Sequence, residues 1–300
     1  MLDSYLKGFK AYMQLERSLS DNTIDAYLRD VIMLRKHLEA QYPGITLEGV
    51  NLQHLQSLLE AIAEMELSVG TQARVMSGIR SFFRYLLLEG VIAKDPTELL
   101  EAPKMKRALP HVLSLEDIIK LFETIDHSTP EGQRNRAMLE TMYSCGLRVS
   151  ELIGLLISNL YLDIGFIRVV GKGNKERLVP IGATAIKYIE LYLQYVRVHQ
   201  VVKQSNEDFV FLNRRGAPLT RVMVFVIIKE LAEKAGFDPG IHPHTMRHSF
   251  ATHLVEAGAD LRAVQEMMGH KSITTTEIYT HLDRTYLRET LEKYHPRYME

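Results

Sequence analysis

The sequence contains a single cysteine, Cys145, among its 300 residues. One thiol builds no internal disulfide, so a disulfide-stapled secreted domain is excluded and the reducing cytoplasm is the expected location. Residues 1–7 lack the basic segment and apolar run of a secretory signal, so none is expected. The longest strongly apolar stretch, residues 222–228, is far too short to span a bilayer, and no membrane partner is expected.

The sequence also lacks an excess of charge. It has 36 Lys and Arg against 37 Asp and Glu, which gives a net charge of −1. Composition therefore gives no indication of a nucleic-acid-binding protein, and any such surface must be a local basic patch. Hydrophobic residues make up 46% of the chain, which is enough for a sizeable core in one large domain or two ordinary ones.

Residues 1–103 show helical patterns throughout. Capping residues at 18–23 lead into an apolar stripe at helical spacing, and Gly90 ends a second clear helix. The helices predicted in this part span residues 2–14, 24–38, 51–64 and 68–90. The polar, basic segment 104–110 follows Pro103 and ends at a second proline, which predicts a linker.

A different pattern begins at about residue 111. Two apolar strands, 166–170 and 176–181, flank a glycine turn and predict a β-hairpin, and a third strand is expected at 209–212. The predicted helices span residues 115–125, 134–144, 221–235, 243–257, 261–267 and 273–282. The expected fold is mainly α, with an all-helical domain (1–103) and a larger α+β domain (111–300) that carries a small antiparallel sheet.

Two basic residues stand in predicted turns of this second domain, and Lys172 is flanked by glycines on both sides. Arg148 lies in the motif G-L-R-V-S-E-L, and Lys172 lies at the hairpin tip in G-K-G-N-K-E-R. Each has an ordinary structural explanation: Arg148 could pair with Glu151, and a hairpin-tip lysine protects a sheet edge.

Four further polar residues follow in the same domain. His244 and Arg247 lie three apart in the first turn of a predicted helix, so they share a face, and the helix N-terminus there would favour a phosphate. His270 follows a glycine that ends another helix, and Tyr279 comes nine residues later. The structural alternatives are that His270 caps its helix and that Tyr279 packs in the core.

The order and context of these motifs point to one family. G-L-R-V-S-E-L, G-K-G-N-K-E-R, H-x-x-R-H, M-G-H and I-Y-T-H, taken together, resemble the tyrosine recombinases and, among them, the Xer branch. The resemblance covers nearly the whole chain; Met246 and Met268 stand where the family often has leucine. It implies the tyrosine recombinase fold, with residues 1–103 as a SAM-like, DNA-binding helical domain and 111–300 as the catalytic domain.

The resemblance implies DNA cleavage and rejoining through a 3′-phosphotyrosine. The transition state carries extra charge on the non-bridging phosphate oxygens, and Arg148 and Arg247 would hold them with permanently charged, forked donors. Because the sequence shows no acidic cluster at metal-ligand spacing and no G-x-x-x-x-G-K-[ST] loop, no metal or nucleotide cofactor is expected.

The same resemblance assigns the proton transfers. Tyr279 would be the nucleophile, and its phenol, with a pKa of about 10, needs a base, which would be His244. Lys172 would protonate the leaving 5′-oxygen, and His270 would donate a hydrogen bond to the phosphate. Glu151 or another nearby acid would orient Arg148.

Contacts with DNA and with other proteins are expected from the same source. The partners implied are a double-stranded recombination site, such as a dif-like site at which chromosome dimers are resolved, a second (XerC-like) recombinase in a tetrameric synaptic complex, and an FtsK-like DNA translocase. Residues 284–300 form an amphipathic tail that would dock on a neighbouring subunit or pack on its own domain. The candidate DNA contacts, which could instead be solvated surface, are Arg74, Arg80, Arg84, Lys104, Lys106, Arg107 and Arg221.

Other functions stay open at this point. A phage or transposon integrase or a type IB topoisomerase would share the chemistry. Residues 251–268 resemble a helix-turn-helix and would also suit a DNA-binding protein that is not an enzyme. A zinc hydrolase is a further alternative, because His244 and His248 have the i, i+4 spacing of zinc ligands, with His242 and His253 nearby, but the glutamate of H-E-x-x-H is missing.

Overall fold

A computed structural model describes residues 2–65, 67–100, 112–171, 174–238, 240–269 and 281–298. The chain forms two compact units, residues 1–108 and 109–300. The division falls within the predicted linker 104–110, which itself lies outside the described residues.

The first unit is helical, as predicted. Its helices are α1 (Leu2–Leu15), α2 (Asp21–Gln41), α3 (Leu52–Glu64) and α4 (Val69–Leu88). Asn51 and Ser68 cap the last two by accepting hydrogen bonds from backbone amides of the first turn. The apolar stripes of the four helices meet in one core, in which Phe9, Phe82 and Phe83 are fully buried.

The second unit combines helices with a small sheet. Its elements in chain order are α5 (Leu115–Glu123), α6 (Pro130–Ser144), α7 (Val149–Ile153), β1 (Leu160–Tyr161), β2 (Phe166–Val170), β3 (Glu176–Pro180), α8 (Ala183–Tyr195), α9 (Arg221–Lys234), α10 (Pro243–Glu256), α11 (Leu261–Met268) and α12 (His281–Tyr294). The strands form an antiparallel sheet in the order β1-β2-β3. The predicted hairpin is confirmed, with Val169 opposite Arg177.

The prediction of a third strand at 209–212 is wrong. Phe209 and Leu212 make only isolated bridges, and the third strand is β1, paired with β2. The apolar run at 210–212 is buried in the core as irregular chain. A continuous apolar run indicates burial, which does not require pairing in a sheet.

Helix α10 has the buried face that its sequence indicates. Met246, Phe250 and Leu254 form an apolar stripe at helical spacing and are fully buried, whereas Ala257, at the end of the same spacing, is the exposed C-cap residue. Helix α8 was not predicted. Of the helix predicted at 273–282, residues 273–280 lie outside the described residues, and α12 begins at His281.

Candidate active site

Arg148 lies where the chain turns from α6 into α7. Gly146 makes this turn with a φ of +56°, and a Cβ there would lie 2.3 Å from the Phe250 ring, so the close approach also requires glycine. The Arg148 amide donates to Glu151 at 2.8 Å, and its guanidinium donates to the other oxygen of that carboxylate, also at 2.8 Å. A third hydrogen bond, 3.0 Å long, reaches the carbonyl of Gly269.

Arg247 approaches the same region from α10. Its side chain is buried and donates to the carbonyls of Gly146 and Met268, both at 2.5 Å. One of its nitrogens is 3.8 Å from Glu151. Burial, followed by the charge of Arg148, lowers the pKa of Arg247 to about 10, so the guanidinium stays protonated at neutral pH.

His244 lies one turn before Arg247 on α10, on the solvent side of the helix. Its pKa lies below the usual value for histidine because of partial burial and the charges of His242, Arg247 and Arg148. The imidazole is therefore mainly neutral at neutral pH, which is the form that accepts a proton. His242 caps the helix by accepting a hydrogen bond from the Thr245 amide.

Arg177, which lies on β3, is not among the predicted site residues. This arginine is buried and donates to both oxygens of Glu151, at 2.8 and 3.0 Å, and to the Met267 carbonyl at 2.9 Å. Its neighbours Glu176 and Leu178 are more exposed, so Arg177 occupies an inward position of the strand. The sequence could have indicated Arg177, because it places a charged residue at an inward position of a predicted strand. Such a charge needs a buried partner.

Glu151 is the common partner of these arginines. Its carboxylate is buried, with 1% of the side chain exposed, and burial alone would raise its pKa. The hydrogen bonds and charges of Arg177 and Arg148 outweigh that effect and hold the pKa of Glu151 below its usual value. The expected contact between Glu151 and Arg148 is therefore part of a larger cluster, in which three guanidiniums surround one carboxylate.

The remaining predicted catalytic residues, Lys172, His270 and Tyr279, lie outside the described residues. The described residues directly before His270 and Lys172 lie at the cluster, and a Cβ on Gly171 would be 3.4 Å from an oxygen of Glu151. Gly269, directly before His270, accepts the hydrogen bond from Arg148, and Gly171, directly before Lys172, closes the hairpin through a 2.7 Å hydrogen bond from its amide to Lys175.

The predicted DNA contacts differ in their surroundings. Arg74 pairs with the buried Asp30 at 2.5 Å, and Arg80 donates to the Leu100 carbonyl. Arg84 on α4 and Arg221 at the start of α9 are exposed. Lys104, Lys106 and Arg107 lie outside the described residues.

The histidines around α10 do not converge. The Nδ1 atom of His253 lies 2.7 Å from the Tyr143 hydroxyl, whereas His244 faces solvent. Across the ranges that the structure describes, no three or more His, Cys, Asp or Glu side chains form a group suited to a metal ion. In the same ranges, no helix is both long and apolar enough to cross a membrane.

The C-terminal tail packs on its own domain in this chain. Leu287 and Leu291 of α12 are buried in the core of the second unit, together with Tyr298. The Tyr298 carbonyl accepts a hydrogen bond from the Ala183 amide at 3.0 Å. This is one of the two alternatives for the tail, and docking on a neighbouring subunit stays a prediction.

Comparisons with known proteins agree with the motifs. The sequence model of the Phage integrase family matches residues 111–285, and that of the Phage integrase N-terminal SAM-like domain matches residues 6–90. The chain is 43% identical to tyrosine recombinase XerD of Staphylococcus haemolyticus over 297 residues, which is 99% of each protein. It is 41% identical to XerD of Staphylococcus aureus over 296 residues, covering 99% of this chain and 100% of the relative.

Solved structures are similar as well. XerH recombinase bound to a palindromic difH substrate, in a post-cleavage complex, aligns with a TM-score of 0.70 and 26% identity over 89% of this chain and 78% of XerH. The Tn1549 transposon integrase, in complex with circular intermediate DNA, aligns with a TM-score of 0.74 over 94% of this chain and 97% of that one, and at 20% identity it supports the fold alone. The chain belongs to the phage integrase family and is a site-specific tyrosine recombinase.

Proposed function

We propose that this recombinase resolves chromosome dimers at a dif-like DNA site during cell division, acting in the cytoplasm. The support is its similarity to XerD recombinases over almost the entire length of both proteins. XerH, a structural relative, is bound to a difH substrate. The proposed partners are a XerC-like second recombinase in a tetrameric synaptic complex and an FtsK-like translocase.

In the proposed mechanism, Arg148 and Arg247 bind the two non-bridging oxygens of the scissile phosphate. The observation that carries this assignment is the cluster around Glu151, which anchors both guanidiniums through contacts within the protein itself. Pre-anchored cations stabilise the added charge of the transition state without reorganisation, which is the largest contribution in many enzymes.

The covalent step is assigned to Tyr279. Its phenolic oxygen attacks phosphorus and forms a 3′-phosphotyrosine, while its proton passes to the neutral imidazole of His244. Lys172 gives a proton to the departing 5′-oxygen, and His270 donates a hydrogen bond to the phosphate. A 5′-hydroxyl from a second duplex then attacks the phosphotyrosine, so the phosphodiester bond is restored without ATP.

The first experiment is covalent capture. The protein is incubated in EDTA with DNA that carries a dif-like site nicked next to the scissile phosphate, and the products are separated on a denaturing gel. We expect a protein–DNA band with the unaltered chain and none with Tyr279→Phe. A band that persists with Tyr279→Phe would mean that the nucleophile is another residue, and no band in either lane would contradict cleavage at that site.

The biological assignment needs a second experiment. A plasmid with two directly repeated dif-like sites is incubated with the protein, with and without the partner recombinase of the same cell. Resolution into two circles would support dimer resolution. Strand exchange only between non-identical attachment sites would favour the alternative, a phage or transposon integrase, and relaxation of supercoils without paired sites would favour a topoisomerase.

A further inference from the structure

Arg177 is more enclosed than the arginine it accompanies. Its side chain is 8% exposed, whereas that of Arg148 is 30% exposed, yet both donate to the same oxygen of Glu151 at 2.8 Å. The fork of Arg177 occupies both carboxylate oxygens, a bidentate geometry that a lysine cannot reproduce. Arg177 therefore fixes the direction in which Glu151 presents its oxygens to Arg148.

The same guanidinium supports the end of α11. Its Nε donates to the Met267 carbonyl at 2.9 Å. Gly269 packs directly on the guanidinium, since a Cβ there would lie 3.0 to 3.1 Å from three of its atoms, and the φ of Gly269 is +64°. The Gly269 carbonyl is the second anchor of Arg148. Both anchors of the Arg148 side chain thus rest on Arg177.

Arg177 also contributes to the net charge of the cluster. Arg148, Arg177 and Arg247 surround one carboxylate, so the cluster has a net formal charge of +2. Without Arg177 the net charge would be +1. The buried Glu151 would then draw the other two guanidiniums more strongly to itself, and less positive charge would remain for a phosphate.

From these contacts we propose that Arg177 is a positioning residue for DNA cleavage, which acts through Glu151 and Gly269 to hold Arg148 ready for the scissile phosphate. The proposal rests on the proposed function, in which Arg148 binds that phosphate. A buried ion pair that serves stability alone is the competing explanation. The two differ in whether the effect of Arg177 depends on Arg148.

A double-mutant cycle separates these explanations. The rate of covalent cleavage is measured in single turnover on the nicked site, at saturating protein, for the unaltered chain, Arg177→Gln, Arg148→Ala and the double variant. We expect Arg177→Gln to slow cleavage about 100-fold, as for loss of a preorganised transition-state donor, with DNA affinity changed less than about threefold. In the Arg148→Ala background the same change should slow cleavage less than about threefold.

Two lysine variants serve as controls for this cycle: Arg177→Lys and Arg197→Lys. Arg177→Lys keeps the charge but loses the fork, so its cleavage rate should lie between those of the unaltered chain and Arg177→Gln. If Arg177→Gln does not fold, Arg177→Lys replaces it in the cycle. Arg197 has the same exposure, 8%, and donates to backbone carbonyls elsewhere in the unit, so Arg197→Lys should cleave at nearly the unaltered rate.

The pH profile provides an independent readout. Among the described residues, the charged groups that face Glu151 are Arg148, Arg177 and Arg247. Without Arg177 the burial of Glu151 is opposed less, so the carboxyl takes up a proton at higher pH and releases Arg148. The ratio of unaltered to Arg177→Gln rates should therefore grow as pH falls.

Each outcome is decisive. Equal slowing by Arg177→Gln with and without Arg148, at a ratio that does not change with pH, would overturn the positioning role. If Arg148→Ala cleaves as fast as the unaltered chain, the proposed function of Arg148 fails instead, whatever Arg177 does.

Discussion

Arg297 donates a hydrogen bond of 2.9 Å to Glu140, which lies 157 positions earlier in the chain. Glu140 is buried on α6 and is also paired with Arg136, and both guanidiniums lie over the ring of Phe122. Arg297 near the C-terminus therefore completes a buried ion cluster in the second unit. Helix α6 ends at the turn that leads to Arg148, so the tail packs against a helix that supports the candidate active site.

The first prediction concerns the stability contributed by this tail. Arg297→Met removes one of two cationic partners from a buried carboxylate, which should lower the free energy of unfolding by about 3 kcal/mol. Urea denaturation of the full chain measures it. Arg214→Met is the control, because Arg214 is 82% exposed and pairs with Glu131 at 3.4 Å, so its loss should cost less than about 0.5 kcal/mol.

Equal losses in the two variants would contradict a structural role for the tail in its own domain. Deletion of residues 284–300 is expected to be more harmful than either substitution, because it also removes Leu287 and Leu291 from the core. A deletion experiment therefore tests subunit docking only if the truncated chain is first shown to fold.

The second prediction separates two arginines of α4 that the sequence groups together. Arg84 is exposed, whereas Arg74 pairs with the buried Asp30. Arg84→Gln should weaken DNA binding about equally for all sequences, reduce the slope of log affinity against log salt by about 1 and leave stability unchanged. Arg74→Gln should lower the free energy of unfolding by about 1–3 kcal/mol, because it leaves a buried carboxylate without its cation.

Fluorescence anisotropy across a salt series and urea denaturation measure the two effects. The reverse pattern, in which Arg74→Gln changes only affinity and Arg84→Gln only stability, would show that the surroundings of the two side chains do not determine their roles.

The sequence was sufficient for most of the architecture. The stripe that includes Phe250 predicts α10, and a glycine turn between apolar strands predicts the hairpin, because each of these signals is local. Helix α8 has buried Ala185, Ile189 and Tyr192 at spacings of four and three, but its isoleucines and tyrosines also favour strands, which obscures the helical period.

The active-site cluster was only partly predictable. Arg148 and Glu151 are three positions apart, so their contact follows from helix geometry. Arg177 reaches Glu151 from 26 positions away, and that contact depends on where the hairpin packs in the fold. The surface on which the tail packs could not be predicted for the same reason. An amphipathic segment indicates that one of its faces is covered, but it does not indicate which part of the fold or which partner covers it.

The third prediction concerns the turn before Arg148. Gly146→Ala should lower the free energy of unfolding by about 3 kcal/mol, from a left-handed backbone of about 1 kcal/mol and a collision with Phe250. It should also slow covalent cleavage, because the Gly146 carbonyl anchors Arg247. Gly236→Ala is the control: Gly236 has a φ of +72° with open space around it, so only the backbone cost of about 1 kcal/mol remains.

Thermal or urea unfolding of the two variants gives the difference, and the nicked-site assay gives the cleavage rate. Similar destabilisation by Gly146→Ala and Gly236→Ala would show that the turn relaxes around the added methyl group. The close packing of Gly146 on Phe250 would then not be needed to hold Arg247.

The fourth prediction is the pH dependence of cleavage. In the proposed mechanism His244 accepts the proton of Tyr279 and must therefore be neutral, and burial and the charges of His242, Arg247 and Arg148 hold its pKa below the usual value. Since a base with a lowered pKa stays neutral to lower pH, the cleavage rate should be constant near neutrality. It should decline only as pH falls below 6.5.

His244→Gln keeps hydrogen-bonding capacity and removes the titrating group. We expect it to slow cleavage at neutral pH by about 100-fold or more and to abolish the decline at acid pH. Single-turnover rates on the nicked site from pH 5 to 8 measure both effects. His248→Gln, one turn further along α10, is the matched control, and its cleavage rate should decline at the same acid pH as that of the unaltered chain. If His244→Gln shows the same decline in rate at acid pH as the unaltered chain, another group accepts the proton, and the proposed role of His244 is wrong.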